Sequence, residues 1–297
     1  MRDTTLSERR RELLDEDLMT SLAYDVVKTS QIMNRVAIVT GGGRGLGRAM
    51  VLGLAQAGIH VVATAARERT EIEAVAGEVR QSCGESRVLP LVADVTQEDD
   101  CAEVVDAAVK RFGRLDILVN NAGRGMKCVS NDFITEPTRF WEVEPETWRL
   151  MIDTNVNGPF MMARHAVPVM LKAGWGRIVN VSVSQATMRR RGFSPYGPSK
   201  AALESETIIW AQDLEGTGVT VNALLPGGAT LTGMIPQTVS EKAKSAMLDP
   251  SIIVPPLLWL VSPEADGMTG RRLVAAKWRT GGDGKSAAEA ATEQGGW

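Results

Sequence analysis

Tyr196 and Lys200 stand four residues apart in Tyr196-Gly197-Pro198-Ser199-Lys200, a spacing that puts a phenol and an amine on one face of a helix. A free phenol titrates near pH ~10, and a neighbouring ammonium favours its ionised form, which would make Tyr196 a usable acid or base for reducing a ketone. Pro195 and Pro198 mark where that helix begins, because first-turn N–H groups have no partner inside the helix and a missing one costs little. Alone, the pair also fits two solvated side chains on a helix surface. Its weight comes from the chain that precedes it.

From Arg35 onward, short apolar runs alternate with longer amphipathic ones, the pattern of βαβ units and a parallel sheet. Strands are expected near 35–40, 59–64, 87–93, 115–120, 176–181, 218–224 and 271–276, and helices near 45–57, 68–82, 97–112, 145–172, 196–215 and 251–262. The expected fold is α/β: one Rossmann-type domain over 34–279 with a doubly wound, parallel, seven-stranded sheet, preceded by an extension at 1–33 and followed by a flexible tail at 280–297. The tail, rich in Gly, Ala and Ser, reads as disordered. Leu13, Leu14, Leu18 and Leu22 would line one side of a short helix in the extension, with a frayed terminus as the alternative.

The first strand runs into Thr40-Gly41-Gly42-Gly43-Arg44-Gly45-Leu46-Gly47. Glycines there let the backbone approach a pyrophosphate, and the N–H groups of the following helix point at it. The spacing is Gly-x-x-x-Gly-x-Gly, and without the strand and helix around it such a turn is more often mere punctuation. An enzyme using NAD usually carries an acid at the end of the second strand for the ribose 2′-hydroxyl. That strand ends Thr64-Ala65-Ala66-Arg67. With no carboxylate to repel a 2′-phosphate, and with Arg44 and Arg67 as its neighbours, NADP is expected ahead of NAD; the alternative is that Arg67 caps a helix in solvent.

Taken together, the glycine turn, Asn120-Asn121-Ala122-Gly123 and the Tyr196/Lys200 pair resemble the short-chain dehydrogenase/reductase family, in the family's order and over roughly Asn34 to Trp278. The resemblance implies that Gly41, Arg44, Gly45 and Leu46 meet the cofactor phosphates, and that Asp94 and Val95 flank the adenine. It places Asn121, Ala122 and Gly123 over the adenosine ribose, and Pro226, Gly227 and Ala229 against the nicotinamide carboxamide. Tyr196 becomes the acid/base, Lys200 lowers its pKa and holds the nicotinamide ribose, and Asn155 holds a water linking Lys200 to bulk proton supply. Asn157 is the nearby decoy.

The chain departs from the family at its serine. Relatives read Asn-Ile-Ser-Ser after the fifth strand, with the second Ser donating to the substrate oxygen, whereas Asn180-Val181-Ser182-Val183 puts a valine there. Ser184 is the preferred substitute, because alternation aims Ser182 away from the side that Val183 faces. The alternative is that both serines only bond local backbone. The expected function is an oxidoreductase moving hydride between NADP(H) and a secondary alcohol or ketone, assembled as a tetramer or dimer. Its rival is a catalytically weakened nucleotide-binding relative acting as a redox sensor or structural subunit.

Composition bounds the rest. Lys plus Arg is 33 against 36 Asp plus Glu, a net charge of −3, which argues against a nucleic-acid partner. No apolar run reaches the roughly 18 residues of a membrane span. Cys83, Cys101 and Cys128 are scattered, and with only His60 and His165 beside them no metal site is expected; a reduced, cytoplasmic protein is the plain reading. The connection from Arg124 to Phe133 and on to Phe140-Trp141 is long enough to be functional and is read as a wall of the substrate pocket, although its aromatics would also serve to pin the loop. Arg189-Arg190-Arg191 is either a solvated basic loop or the recognition point for an anionic substrate group, and Thr230 to Ser245 is the expected flap.

Overall fold

The computed structural model describes residues 32–281 and 283–296, so the leucines of the extension lie outside the described residues. Val36–Val39 forms β1, buried at all four positions, as expected of a parallel strand covered on both faces. It is followed by α1 (Gly45–Gln56), β2 (His60–Ala65), α2 (Arg69–Cys83), β3 (Val88–Val92), α3 (Glu98–Phe112) and β4 (Ile117–Asn120). The second half runs α4 (Pro145–Ile152), α5 (Gly158–Ala173), β5 (Gly176–Val181), the short α6 (Gln185–Met188), α7 (Tyr196–Asp213) and β6 (Val219–Leu225). The chain closes with α8 (Glu241–Lys244), α9 (Val254–Leu260), β7 (Arg271–Val274), α10 (Gly284–Ala291) and β8 (Thr292–Gln294).

The strand order is β3-β2-β1-β4-β5-β6-β7-β8. The order reverses between β1 and β4, and in open α/β sheets that switch point opens a crevice beyond the carboxyl ends of the strands. One face packs Val39, Val119, Val179 and Leu224 against Met50 and Leu54 of α1 and Leu257 and Leu260 of α9. The other packs Ile38, Leu118, Ile178 and Val221 against Val104 and Ala108 of α3 and Met162 and Ala166 of α5. Alternation along each strand supplies both layers from the same runs.

Two expectations are corrected. The segment 145–172 is not one α-helix, because a π-helical turn at Asp153–Asn157 separates α4 from α5. The tail is ordered: α10 buries Ala287, Ala288 and Ala291, and β8 pairs antiparallel with β7, Arg271 opposite Gln294 and Leu273 opposite Thr292. The added strand makes the sheet eight-stranded and covers backbone groups that an open β7 edge would expose. Asp283 caps α10 by accepting from the Ser286 N–H at 2.9 Å.

Two arginines are among the largest fully buried side chains. At the amino ends of the strands, Arg177 forms an ion pair with Asp266. Its guanidinium lies 4.1 Å from the Trp175 ring centroid, and that of Arg35 lies over the same ring at 3.3 Å. Arg35 and Arg114 both pair with the buried Asp116, whose Oδ2 also accepts from the Val36 N–H at 2.8 Å. Arg272 sits at the opposite end of the sheet, beside the site described next.

Candidate active site

The carboxyl end of β1 is stitched to that of β4. Thr40 Oγ1 accepts from the N–H groups of Asn121 (3.0 Å) and Ala122 (2.9 Å), and Asn121 Nδ2 donates to the carbonyls of Thr40 (2.8 Å) and Gly41 (3.0 Å). Gly47 is obligatory, since a Cβ there would stand 2.0 Å from the Gly41 oxygen. Arg44 is the N-cap of α1 and makes no side-chain cap, and no acid occupies the helix's own first turn, so its leading N–H groups have no capping side chain, although the Glu71 carboxylate lies beside Gly43. That cradle suits a phosphate. Flap residue Thr232 lies over Gly45, and Lys127 Nζ donates to the Gly233 carbonyl at 3.3 Å.

Arg44 and Arg67 are both exposed, and Arg44 Nη1 pairs with Glu71 Oε1 at 3.4 Å. The sequence reading missed Glu71: the acid absent from the end of β2 sits in the first turn of α2 instead. Asp94 Oδ1 accepts from Thr96 N (3.0 Å) and Thr96 Oγ1 (2.9 Å), and Val95 packs on Gly158. Pro226, at the end of β6, accepts from the Ala276 N–H at 3.0 Å, while Gly227 and Ala229 are exposed beyond it.

Tyr196 is the first residue of α7 and Lys200 lies one turn on. Lys200 is 5% exposed and its Nζ donates to the Val181 carbonyl at 2.8 Å. Asn155, in the π-helical turn, is fully buried: its Oδ1 accepts from Arg124 N (2.8 Å), and its Nδ2 donates to Arg124 O and Ser199 Oγ, both at 2.9 Å. Ser199 Oγ donates in turn to the Tyr196 carbonyl at 2.8 Å, so Asn155 ties the end of β4 to the first turn of α7. A Cβ on Gly123 would stand 3.3 Å from Asn155 Oδ1 and 3.8 Å from Lys200 Nζ, so the two groups converge on this one glycine. Asn157 instead donates to Asp153 Oδ1 at 2.8 Å, within its own turn.

Burial dominates the electrostatics. It pushes the Lys200 amine down to about 8, opposed by Glu204, and pushes the Tyr196 phenol up to about 12. The expectation that Lys200 draws the phenol down is corrected: desolvation prevails at Tyr196, and the Lys200 hydrogen bond runs to Val181.

Neither serine is free of local partners. Ser182 is buried and donates to Glu204 Oε1 at 2.6 Å, whereas Ser184 caps α6, accepting from Thr187 N at 3.2 Å and pairing with Thr187 Oγ1 at 2.9 Å. Ser184, Gly227 and Arg272 line one cavity of about 260 Å³. In the long connection, Phe133 packs edge-on against Phe193 at 5.8 Å and Thr138 Oγ1 donates to Gly192 O at 2.8 Å, pinning it to the arginine loop. Phe140 and Trp141 are each 67% exposed and pack on one another instead, and Arg189, Arg190 and Arg191 face solvent.

A doubly wound sheet with a glycine turn at the switch point, and with a tyrosine and a lysine one helical turn apart above it, defines a nucleotide-dependent oxidoreductase. The chain belongs to the short-chain dehydrogenase/reductase family, NAD(P)-dependent enzymes acting on CH–OH groups: the short chain dehydrogenase model matches residues 35–243. It is 32% identical over 248 residues to a 3-oxoacyl-[acyl-carrier-protein] reductase of Thermotoga maritima, covering 81% of this chain and 96% of the relative. The 3-ketoacyl-(acyl-carrier-protein) reductase of Brucella melitensis, solved with NADH, superposes with a TM-score of 0.69 at 31% identity, covering 80% of this chain and 95% of that one. A Beutenbergia cavernae protein solved with NADP at low occupancy gives 0.70 at 29%, covering 82% and 95%.

Proposed function

We propose that the chain interconverts a ketone and a secondary alcohol with NADP(H) in preference to NAD(H). The observation that carries this is the convergence of Lys200 Nζ and Asn155 Oδ1 on Gly123, beneath a helix that begins with Tyr196. When bound, the nicotinamide supplies or accepts the hydride. Tyr196 exchanges the proton with the substrate oxygen; burial pushes its phenol up to about 12, so it holds the proton at neutral pH but sits well above the pH at which an acid transfers it best. Asn155 fixes Arg124 and the Tyr196 turn through its three side-chain hydrogen bonds and holds the water that resupplies Lys200. Ser184 is the donor to the substrate oxygen in place of Val183, giving up its Thr187 partner as substrate arrives.

For the cofactor, Gly41, Gly45, Leu46 and the α1 N-terminus hold the phosphates, Asp94 and Val95 border the adenine, and Asn121, Ala122 and Gly123 close over the ribose. Pro226, Gly227 and Ala229 meet the carboxamide. Arg44 and Arg67 meet the 2′-phosphate. The Arg44–Glu71 pair is exposed, and such pairs are worth at most ~1 kcal/mol, so a phosphate displaces Glu71 readily. Among the described residues no helix is long and apolar enough to cross a membrane. We read the protein as a cytoplasmic homotetramer or homodimer.

The test is kcat/KM with NADPH and with NADH over a panel of ketones that includes a 3-oxoacyl thioester, the class named for the Thermotoga relative. NADPH should be preferred at least tenfold, ~1.4 kcal/mol. A tenfold preference for NADH would overturn the arginine argument, and tight NADPH binding with no turnover on any ketone would leave the redox-sensor reading.

A further inference from the structure

Three successive residues at the end of β5 are each gripped by a different buried group. The Val181 carbonyl accepts from Lys200 Nζ at 2.8 Å, Ser182 Oγ donates to Glu204 Oε1 at 2.6 Å, and the Val183 carbonyl accepts from Arg272 Nη2 at 3.0 Å. Glu204 follows Lys200 by four residues on α7, so the two share a helical face, and its second oxygen lies 3.3 Å from Arg272 Nε. Lys200, Glu204 and Arg272 are 5%, 2% and 1% exposed. Charges buried this deeply hold their ionised forms only through one another.

We infer that Glu204 is a positioning residue for the Tyr196/Lys200 pair: its carboxylate sustains the Lys200 ammonium and, shared between Ser182 and Arg272, fixes the turn to which that ammonium is bonded. The inference rests on the catalytic reading above. The charged groups acting on Glu204 are Lys200 from its own helix, Arg272 from β7 and Glu293 from β8, and Glu293 is itself paired with Lys277 at 2.7 Å. Burial pushes Lys200 down to about 8 and Glu204 opposes it, so losing the carboxylate lowers the amine further. An amine is charged below its pKa and loses the charge as pH rises through it. The alkaline fall in activity therefore moves to lower pH when Glu204 is neutralised.

Glu204→Gln keeps the shape and the acceptor for Ser182 while removing the charge. The Lys200 titration midpoint, followed by NMR on protein carrying 13C-labelled lysine with the signal assigned by its loss in Lys200→Arg, should fall by about one pH unit. The alkaline limb of kcat/KM should fall with it, and Glu204→Asp, which keeps a carboxylate, should return the limb part of the way. If Glu204→Gln does not fold, Glu204→Gln/Arg272→Met removes both charges, an exchange that is often neutral for stability, and the midpoint should again fall. A folded variant whose midpoint stays at the wild-type value overturns the inference. The NMR midpoint needs no turnover, so a wild-type protein inert on every ketone would sink the enzyme reading while the role of Glu204 is still decided.

Discussion

Arg177 and Arg272 are buried alike, at 2% and 1% exposure, on strands of one sheet, yet their surroundings differ in kind. Arg177 registers with Thr220 on β6 and Arg272 with Ala223, three residues apart, so the two point to opposite faces as well as lying toward opposite ends. Around Arg177 stand an aspartate, an aromatic ring and another arginine. Burial pushes its guanidinium down to about 10, still far above neutral, so Arg177 keeps its charge across working pH. Around Arg272 stand Glu204 and, one helical turn back, Lys200 at about 8, so the carboxyl end changes charge within reach of neutrality. A buried arginine that stays charged far above neutral makes architecture; one set a helical turn from an amine near 8 makes a site whose state depends on pH.

The sharpest break between the two ends is Tyr196→Phe, which should lower kcat by ~10²–10⁴ while leaving NADPH affinity and Tm near wild type. Unchanged kcat would move the chemistry away from α7. At the other end, Arg177→Met should destabilise the protein by ~2 kcal/mol in urea unfolding with kcat/KM unchanged, less than a fully buried pair because Asp266 is 60% exposed and regains water. A loss of kcat without a loss of stability would erase the distinction. Ser184→Ala should lower kcat about tenfold, ~1.4 kcal/mol, and Val183→Ser should leave it unchanged or raised. A silent Ser184→Ala would leave that serine as the cap of α6 alone.

The smallest effect concerns Glu206, two residues beyond Glu204, whose buried Oε2 makes no hydrogen bond among the described residues. Burial raises its carboxyl from 4.5 to about 7, so the unfolded chain sheds this proton first, and stability declines as pH rises through that window. Glu206→Gln should therefore raise Tm at pH 8 and barely change it at pH 4.5. An equal rise at both would mean that the gain is packing, not charge.

What was legible in the sequence was what short spacing encodes. The strands, the glycine turn and the α7 start at Tyr196 all follow from residues within a few positions of one another, whereas Asn155 comes through the family resemblance and the π-helical turn that carries it does not show in the periodicity. Ser199 stands within Tyr196–Lys200 and Thr40 directly before the glycines, so short spacing places both beside the site. The ordered tail was not legible, because α10 packs through Ala287, Ala288 and Ala291, small residues whose burial depends on neighbours that β7, the 275–277 turn and α9 supply. Nor was Arg272: a charge in a strand ordinarily reads as solvent-facing, and the distant Glu204 and the Val183 carbonyl make its burial tolerable. The upward shift at Tyr196 escaped because the spacing to Lys200 shows proximity but not how much water the fold removes.

The Gln185 amide donates to the Gly296 carbonyl at 2.8 Å across 111 residues of chain, tying the helix that Ser184 caps to the segment just past β8. Ribosomes add roughly 5–20 residues per second, so the 111 residues between the two partners take roughly 6–22 s to emerge. Throughout that interval β1 to β5 can assemble, but the turn after β5 has no clasp from the far edge of the sheet. The serine beside that turn reaches its final setting only after β8 has emerged, and a nascent chain stalled before β8 would hold its nucleotide cradle without a finished substrate end.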